Sequence, residues 1–349
     1  MYKVIGIMSG TSLDGVDLAY CVFKEEDGIW TYDIYETETI EYNEEWKGVL
    51  NDLINKDDLE ILKADKKYGT YLGELVRDFI KSNSLEVELI ASHGHTIKHQ
   101  PEKGITLQIG DGQQIANVCQ KKVVCNFRKQ DVELGGEGAP LVPIGDLLLF
   151  GDHKYCLNLG GIANISIKEN NSITAFDICP CNMVLNELAG QLNLGFDKDG
   201  ENASKGEVNN KLLNKLNNIE YCKKDPPKSL GREDIMNVHF PIINEYKIDV
   251  ESKLRTFVEH IAIQISNSIQ TNGAMLVTGG GAWNEFLIKR IKELTDIDVN
   301  VPQKELVDYK EALIFGLLGI LKVRDEINCL SSVTGASEDC VGGEIFSPE

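Results

Sequence analysis

Long hydrophobic runs, clustered cysteines, a phosphate-binding P-loop and an excess of positive charge are all missing from this chain of 349 residues. No apolar run approaches the ~18 residues that a membrane-spanning helix needs. Residues 1–7 resemble a short strand and lack the apolar core and cleavage site of a signal peptide. We therefore expect a cytoplasmic protein. A chain of this length suits two lobes, each large enough to bury its own core.

The cysteines and the charge balance narrow the possible partners further. Nine cysteines are scattered along the chain, none in a Cys-x-x-Cys pair and none with zinc-like spacing to histidine. We expect reduced, mostly buried thiols. The net charge of −20 at pH 7 makes nucleic acids and anionic membranes poor partners. A phosphate-bearing ligand would have to be held by local N–H groups, a few basic side chains and a divalent metal.

The most informative feature that is present follows the first predicted strand, where residues 9–17 read SGTSLDGVD. Small residues, hydroxyls and two carboxylates lie between two apolar runs, which predicts a hairpin with a polar tip. Such a tip offers N–H groups and hydroxyls to an anion, and carboxylates to its metal. No Gly-x-x-x-x-Gly-Lys-[Ser/Thr] motif occurs in the chain, so this loop is the candidate phosphate site. An ordinary polar turn is the alternative.

The order of predicted elements repeats once along the chain. In each half, three strands are followed by helices that alternate with strands, which is the order of a ribonuclease H-like lobe. In the first half we predict strands at 4–8, 16–23, 30–40, 87–92 and 122–126, and helices within 44–83 and at 113–119. In the second half we predict strands at 155–159, 162–168, 173–177, 274–278 and 298–301, and helices at 183–194, 250–270, 283–294 and 309–324.

Two such lobes facing one another form the two-lobed α/β fold shared by actin, hexokinase and the heat-shock-70 ATPases, with nucleotide in the cleft between the lobes. We predict this fold, with lobes at 1–134 and 135–349 and the last segment packing back on the first lobe. Residues 128–143 contain GGEGAP, whose glycines and proline fit a hinge between the lobes. An ordinary surface loop is the alternative.

Two glycine turns of the second half complete the predicted nucleotide site. Gly160 and Gly161 follow a strand and would let the backbone approach the β- and γ-phosphates. Gly279, Gly280 and Gly281 stand between a strand and a helix, where they leave room for adenosine beside a helix N-terminus. For this second turn, a tight turn without a ligand is the alternative.

Two further segments carry candidate chemistry. Asp177 ends an apolar strand, and a carboxylate held there is a good general base. The alternative is that it only forms the proline-containing turn that follows. His93, His95 and His99 lie close together, but the intervening glycine predicts a loop rather than convergent metal ligands. We therefore expect contacts to sugar hydroxyls or structural hydrogen bonds.

Taken together, these motifs resemble those of the anhydro-N-acetylmuramic acid kinases, in the family's order and along nearly the whole chain. The matching segments are 9–17, Ser92-His93-Gly94-x-Thr96, 108–112 (QIGDG), Phe127-Arg128-x-x-Asp131, 135–143 (GGEGAPLVP), 158–164 (NLGGIAN), Asp197-x-x-Gly200, 226–233 (PPKSLGRE), 278–284 (TGGGAWN) and Glu311-Ala312.

The resemblance implies a sugar kinase that uses MgATP and water to open 1,6-anhydro-N-acetylmuramic acid, giving N-acetylmuramic acid 6-phosphate during reuse of cell-wall muropeptides. It also implies a homodimer. Asp177 matches the family's base, and Thr96, Arg128 and Glu311 match positions that line the sugar site. The predicted ATP contacts are Gly10, Thr11, Ser12, Leu13, Asp14, Gly15, Val16, Asp17, Gly160, Gly161, Gly279, Gly280, Gly281 and Asn284, with Asp14 or Asp17 as a candidate ligand of Mg²⁺.

The implied chemistry explains why one base would suffice. Hydrolysis of an ordinary glycoside takes two carboxyls, one to activate water and one to protonate the leaving oxygen. Here the γ-phosphoryl group of ATP captures the leaving O6, so no acid is needed. Asp177 takes the proton of the water that attacks C1.

The chain departs from the family's pattern beside this base. The usual loop reads Asp-Thr-Gly-Pro-Gly-Asn, whereas Ile178, Cys179 and Cys181 replace its threonine and two glycines. If either glycine needs a positive φ, a cysteine there costs about 1 kcal/mol and reshapes the loop. His95 also replaces the usual Gln, and Asn126 replaces the usual Asp.

These departures leave two other functions open. The first is a kinase of another amino sugar or anhydrosugar, which the altered loop and His95 would permit. The second is a non-catalytic, ATP-binding sugar sensor. An intact Asp177 argues against the sensor, because a binding protein needs no base at that position.

Overall fold

The structure is a computed structural model that describes residues 1–10, 13, 15–169, 172–226 and 228–349. It divides into two compact units. Unit 1 comprises residues 1–149 and 309–349, and unit 2 comprises residues 150–308. No helix of the described residues is long and apolar enough to cross a membrane.

The first part of unit 1 begins with three strands, as the apolar runs predict. Its strands are β1 (Tyr2–Ser9), β2 (Gly15–Glu26), β3 (Ile29–Glu41), β4 (Leu89–Gln100), β5 (Ile105–Ile109) and β6 (Lys122–Cys125). Its helices are α1 (Glu44–Asp52), α2 (Asp58–Ser82), α3 (Gly112–Cys119), α4 (Lys129–Glu133) and α5 (Val142–Leu149).

Unit 2 repeats this order with more helix. Its strands are β7 (Tyr155–Leu159), β8 (Ile162–Glu169), β9 (Ser172–Pro180), β10 (Met275–Thr278) and β11 (Val299–Asn300). Its helices are α6 (Asn182–Gly190), α7 (Glu201–Lys205), α8 (Asn210–Asn217), α9 (Arg232–Asp234), α10 (Phe240–Glu245), α11 (Val250–Asn267) and α12 (Glu285–Leu294).

The chain then returns to unit 1. Helix α13 (Lys304–Val323) is kinked at Tyr309, where φ is −117°, and the division between the units falls at this residue. Helix α14 (Ser331–Thr334) and strand β12 (Glu344–Phe346) complete unit 1.

The two sheets have the same core order. In unit 1 the order is β12-β6-β4-β1-β2-β3, with β5 paired to β4, and in unit 2 it is β11-β10-β7-β8-β9. In each, the second strand is antiparallel to the first and third. Leaving β5 aside, the fourth strand is parallel to the first and the fifth is parallel to the fourth: these are β4 and β6 in unit 1, and β10 and β11 in unit 2. This third-second-first-fourth-fifth order is that of a ribonuclease H-like sheet, so the predicted fold class is confirmed.

The division between the units lies at residue 149 rather than at the expected residue 134. Helix α5 stays with unit 1 because its buried Asp146 forms an ion pair of 3.1 Å with the buried Lys310 of α13. Gly145 of the same helix packs directly against Ile314. The glycines and proline of residues 128–143 predicted a hinge before α5. The sequence could not predict that α5 packs on α13, because the two helices are far apart in the chain.

A close approach of strand and helix holds the part of α13 that belongs to unit 1 against β1. A Cβ on Gly6 of β1 would lie 1.8 Å from the backbone oxygen of Ala312. Only glycine allows this contact, since any side chain would collide with backbone. The contact fixes the backbone of the neighbouring Glu311 beside the central strand of the unit 1 sheet.

Candidate active site

Asp177 lies near the end of β9, and a distant segment holds its carboxylate. Asp177 Oδ2 accepts a hydrogen bond from the Leu230 N–H at 2.9 Å and from the Ser229 hydroxyl at 3.3 Å. Burial raises the pKa of Asp177, and these two donors oppose the rise. The result is a half-buried carboxylate with a fixed orientation and increased basicity, as a general base requires.

The backbone around Asp177 is held as firmly as its side chain. Its N–H donates to the Lys228 carbonyl at 3.2 Å, and its carbonyl accepts from the Tyr221 hydroxyl at 2.7 Å. The Lys228 ammonium lies 5.1 Å from the Tyr221 ring centroid and 5.6 Å from that of Phe176. Tyr221 and Lys228, which follow β9 in the sequence, therefore hold the strand end that carries Asp177.

The cysteines that follow Asp177 do not need a left-handed backbone. Strand β9 continues to Pro180, past the predicted end at 177, and a bulge in its pairing with β8 accommodates Ile178. Neither Cys179 nor Cys181 has a positive φ, and Cys181 has φ −130°. The cost considered for replacing a left-handed glycine therefore does not arise.

Both thiols belong to the core of unit 2. Cys179 and Cys181 are fully buried within its hydrophobic cluster. Burial raises the pKa of Cys179 well above its ordinary value and that of Cys181 to about 12. Neutral thiols in this setting behave as small apolar side chains and leave the chemistry to Asp177.

Gly160 and Gly161 form the turn between β7 and β8 and hold the start of α6. The Gly160 carbonyl accepts from the Asn182 N–H at 3.1 Å, and the Gly161 carbonyl accepts from the Cys181 N–H at 2.9 Å. A Cβ on Gly160 or Gly161 would meet no atom closer than 3.4 Å, and neither residue has a positive φ. The fold itself therefore does not require glycine here, which leaves space for a ligand.

The three glycines after β10 differ in how much space a Cβ would have. Gly279 has φ +81°, and a Cβ there would lie 2.5 Å from Asn158 Oδ1. A Cβ on Gly281 would lie 2.7 Å from the Leu159 side chain. A Cβ on Gly280 would meet nothing closer than 3.9 Å. Packing therefore explains two of the glycines and leaves Gly280 as the one open to a ligand.

Asn284 has a defined role in the fold. Its side-chain oxygen accepts from the Leu287 N–H at 2.9 Å and caps α12. A Cβ on Gly200 would lie 2.4 Å from this oxygen, so the glycine admits the cap. The capping oxygen is thus engaged within the protein, and a contact of Asn284 with ATP stays a prediction.

The opening loop lies partly outside the described residues, which exclude Thr11, Ser12 and Asp14. Gly10 accepts from the Leu13 N–H at 3.5 Å, and Leu13 has the left-handed φ of 60°, which is uncommon for leucine. Gly15 and Val16 are the first residues of β2, and both are buried. Among the described residues, a hydrogen bond therefore joins Leu13 to Gly10, and β2 begins two residues after Leu13.

A buried network of hydroxyls underlies this loop. The Ser9 hydroxyl lies 2.6 Å from the Tyr42 hydroxyl, 3.0 Å from His95 Nδ1 and 3.0 Å from the Tyr68 hydroxyl. Burial lowers the pKa of His95 to about 4, so its ring is neutral at pH 7. His95 therefore joins a structural network, which was one of the two roles expected for these histidines.

Two carboxylates of unit 1 influence one another. Asp17 lies on β2, and its Oδ1 accepts from the Thr39 hydroxyl at 2.6 Å. Burial raises the pKa of Glu311, and so does the charge of Asp17, while Lys310 and Arg128 oppose the rise. Asp17, Glu311 and Arg128 thus form one interacting charged group within this unit.

Arg128 is fixed by the backbone and by a neutral histidine. Its Nε and Nη2 point to His93 Nε2 at 3.1 and 2.9 Å, and its Nη1 donates to the Gly138 carbonyl at 2.9 Å. His93 Nδ1 lies 2.8 Å from the Gly94 carbonyl, which leaves Nε2 as the acceptor for Arg128. Burial and the charge of Arg128 lower the pKa of His93 to about 3.

Thr96 lies two residues beyond Gly94 on the same strand. Strand β4 runs through Gly94, where φ is +73°, so the loop predicted from this glycine is wrong. Only the glycine's freedom at positive φ allows the strand to continue there. The Thr96 hydroxyl lies 3.5 Å from Gln108 Nε2 across the pairing with β5.

The structure brings together some predicted residues and adds others. Within unit 1, Arg128, Glu311 and Asp17 interact, and within unit 2 the Gly160-Gly161 turn pairs with the start of the helix that follows Asp177. Of the groups that position Asp177 and Arg128, Tyr221 lies outside every segment matched in the sequence. Lys228, Ser229, Leu230 and Gly138 had been matched only as parts of motifs, and sugar contacts or structural hydrogen bonds had been expected of His93. These positioning groups are Tyr221, Lys228, Ser229, Leu230, His93 and Gly138.

Comparison with known proteins agrees with these motifs. A family model described as anhydro-N-acetylmuramic acid kinase matches residues 2–348. The chain is 36% identical to the anhydro-N-acetylmuramic acid kinase of Francisella tularensis subsp. novicida, over 98% of this chain and 97% of that protein. It is 34% identical to that of Clostridioides difficile, over 99% of this chain and 98% of that protein.

Similarity to solved structures is weaker. Component A of the (R)-2-hydroxyglutaryl-CoA dehydratase of Acidaminococcus fermentans is 12% identical, with a TM-score of 0.48 over 93% of this chain and 100% of that chain. The fold assignment therefore rests on the strand order of the two sheets. The family model and the relatives together show that the chain belongs to the anhydro-N-acetylmuramic acid kinase family.

Proposed function

We propose that this protein is an ATP-dependent kinase that opens 1,6-anhydro-N-acetylmuramic acid with water and phosphorylates O6. The product is N-acetylmuramic acid 6-phosphate, formed during cell-wall recycling. Besides family membership, one observation carries the proposal: Asp177 is a half-buried carboxylate of raised pKa, oriented by two donors from a distant segment. A protein that only binds ATP and a sugar has no need of such a base.

In the proposed mechanism, Asp177 accepts the proton of the water that attacks C1 of the sugar. The C1–O6 bond breaks, and O6 attacks the γ-phosphorus of ATP in line, with ADP as the leaving group. Since the phosphoryl group takes the electron pair of O6, no carboxylic acid has to protonate it. Oriented groups contribute most to the phosphoryl half of such a reaction, because little covalent chemistry is left to the protein there.

We assign the ATP contacts to the glycine turns. Gly160, Gly161 and Gly280 support this assignment, because no atom of the described protein comes within 3.4 Å of a Cβ built there. In unit 1 we assign ATP contacts to the backbone of Gly10, Leu13, Gly15 and Val16, and to Thr11, Ser12 and Asp14, which lie outside the described residues. Gly279, Gly281 and Asn284 would shape the adenosine end through their packing.

Asp17 fits the proposed role of a magnesium ligand. It offers a carboxylate, the hard oxygen donor that Mg²⁺ prefers, next to a second carboxylate on Glu311. A divalent cation would relieve the repulsion between these two groups and would neutralise phosphate charge when bound. Asp14 stays the other candidate.

We assign the sugar contacts to Thr96, Arg128 and Glu311. Arg128 supports this best, because its bonds to His93 and Gly138 use three of its five N–H groups. Among the described residues the structure shows no acceptor for the other two. The lactyl carboxylate of muramic acid is an acceptor that matches them in charge and geometry.

We further propose that the protein works in the cytoplasm as a homodimer and does not bind nucleic acid. The net charge of −20 supports the last point.

The test is turnover in ¹⁸O-labelled water. Purified protein is incubated with ATP, Mg²⁺ and 1,6-anhydro-N-acetylmuramic acid, and products are followed by mass. We expect equal amounts of ADP and sugar phosphate, with the label at C1 of the sugar. Label in inorganic phosphate would indicate simple ATP hydrolysis. Turnover only with another sugar would replace the proposed substrate, and ADP without any sugar phosphate would refute the kinase.

Replacing Gly280 with alanine should weaken ATP binding without weakening the fold. The new methyl group meets nothing closer than 3.9 Å in the protein, so the melting temperature should stay close to that of the wild type. A nucleotide against the backbone would collide with it, and we expect the KM for ATP to rise about tenfold, which is ~1.4 kcal/mol. Gly190→Ala is the control, since it also adds a methyl group with nothing within 4 Å. An unchanged KM would remove Gly280 from the ATP site.

A further inference from the structure

A buried group of two thiols and a carboxylate lies in unit 1, and none of its members is among the residues assigned above to ATP and the sugar. It consists of Asp131 on α4 together with Cys329 and Cys340 on the C-terminal segment. Their exposed fractions are 0%, 2% and 4%. Cys329 and Cys340 face each other in an isolated antiparallel bridge, in which each N–H donates to the other residue's carbonyl at 3.1 Å.

The three side chains converge. One ligand atom from each residue lies within 4.8 Å of the other two, and the Cys329 Sγ donates to Asp131 Oδ1 at 3.1 Å. In a tetrahedral zinc site with Zn–S of about 2.3 Å and Zn–O of about 2.0 Å, neighbouring ligand atoms are about 3.5 to 3.8 Å apart. Small side-chain adjustments would therefore place all three atoms around one ion.

The hydrogen-bond partners of the Asp131 carboxylate carry no charge. Its carboxylate accepts from the Gly138 N–H at 2.7 Å, the Thr334 hydroxyl at 2.6 Å and the Cys329 thiol. All of these donors are neutral, and the described residues include no lysine, arginine or histidine in an ion pair with Asp131. A cation at this position would therefore compete with no direct ion pair of Asp131.

We propose that Asp131, Cys329 and Cys340 bind a thiophilic divalent cation of the Zn²⁺ type. Binding releases the two thiol protons to solvent, and the metal replaces the Cys329–Asp131 hydrogen bond by joining Sγ and Oδ1 through the ion. Thiolate ligands select Zn²⁺ over Mg²⁺, so this site is separate from the magnesium site of the kinase reaction. The fourth position is available to a water molecule or to the Thr334 hydroxyl.

Such an ion would stabilise the support of Arg128. Asp131 holds the N–H of Gly138, and the carbonyl of Gly138 holds the Arg128 guanidinium. A metal at Asp131 would therefore tighten the loop that orients Arg128. This consequence for the sugar site rests on the proposed function, whereas the binding of the metal does not.

The test measures binding to the whole, reduced and metal-stripped protein. Cd²⁺ gives an ultraviolet charge-transfer band when thiolates bind it, and Co²⁺ gives visible bands whose intensity reports tetrahedral geometry. We expect one equivalent of Cd²⁺ per chain, tetrahedral Co²⁺ bands, displacement by Zn²⁺ and a higher melting temperature with Zn²⁺. Cys340→Ser should weaken binding at least 10- to 100-fold.

Cys21→Ser is the matched control. Cys21 is also buried, and its Sγ donates to the Ala19 carbonyl, so this variant should bind like the wild type. Two results would overturn the proposal: no stoichiometric binding by the wild type, or binding unchanged by Cys340→Ser. If Cys340→Ser does not fold, the wild type and the control still decide the question. A mass two hydrogens lower under mild oxidation, with no metal bound by the reduced protein, would indicate a disulfide instead.

Discussion

Replacing Asp177 with asparagine should lower kcat by about 10²- to 10⁴-fold, the range that a general base contributes. Asparagine preserves the shape of the side chain, and its oxygen can still accept from Leu230 and Ser229. It cannot accept the proton of the attacking water. The fold and the affinity for ATP should therefore stay close to those of the wild type, as measured by melting temperature and nucleotide titration. Asp152→Asn, an exposed change in the same unit, is the control.

The pH profile of kcat distinguishes a general base from a structural residue, because it depends on the pKa of Asp177 only if Asp177 acts as the base. The base works when ionised, so kcat should rise with pH through the raised pKa of Asp177. The Ser229 hydroxyl lowers this pKa by donating to the carboxylate, and Ser229→Ala should therefore shift the acid limb to higher pH. A fully active Asp177→Asn enzyme would refute the assignment. If the acid limb does not move in Ser229→Ala, a group other than Asp177 causes that limb.

The sequence predicts Asp177 but not what holds it. An apolar run ending in a carboxylate indicates where the residue lies, since hydrophobic periodicity reports the strand. Ser229 and Leu230 lie 52 and 53 positions further along the chain, and no local pattern connects them to β9. The same holds for Arg128, whose partner His93 is 35 positions away. Contacts at this separation depend on the order of strands in the finished sheet.

The largest local errors occur where a strand passes an irregular residue. Strand β4 continues through Gly94 to Gln100, and β9 continues through a bulge to Pro180. Glycine and proline are the usual signs that a strand ends, so both segments read as loops in the sequence. Bulges keep such residues within a sheet by leaving one residue unpaired. The three-strand openings of both units, which have clear apolar runs, were predicted well.

Glycines illustrate what the structure adds to a motif. In the sequence, Gly279, Gly280 and Gly281 are equivalent candidates for a ligand. The structure separates them, because a Cβ would collide with the protein at Gly279 and Gly281 but not at Gly280. A motif shared by relatives can therefore preserve a glycine for packing or for a ligand, and only the surrounding atoms tell the two apart.

Replacing Arg128 with lysine should lower kcat/KM for 1,6-anhydro-N-acetylmuramic acid by roughly 10- to 100-fold, because charge-assisted hydrogen bonds contribute about 1.5 to 3 kcal/mol. Burial lowers the pKa of Arg128 to about 10, and the guanidinium stays charged at pH 7. A lysine donates from a single nitrogen and lacks the planar fork with which the guanidinium contacts His93 and Gly138 and still offers N–H groups to a substrate carboxylate. Arg77→Lys, at an exposed pair with Asp78, is the control and should have no effect.

A second substrate tests which group Arg128 binds. 1,6-Anhydro-N-acetylglucosamine lacks the lactyl ether and its carboxylate but keeps the bicyclic sugar and the scissile bond. The wild type should have a much higher kcat/KM with the muramic acid than with the glucosamine. In Arg128→Lys, kcat/KM should fall with the muramic acid and stay nearly unchanged with the glucosamine, so most of the preference is lost. Equal losses with both sugars would mean that Arg128 contacts the common ring instead. His93→Gln, which keeps an acceptor for the guanidinium, should retain more of the preference than His93→Phe. That ranking is expected only if His93 acts by positioning Arg128.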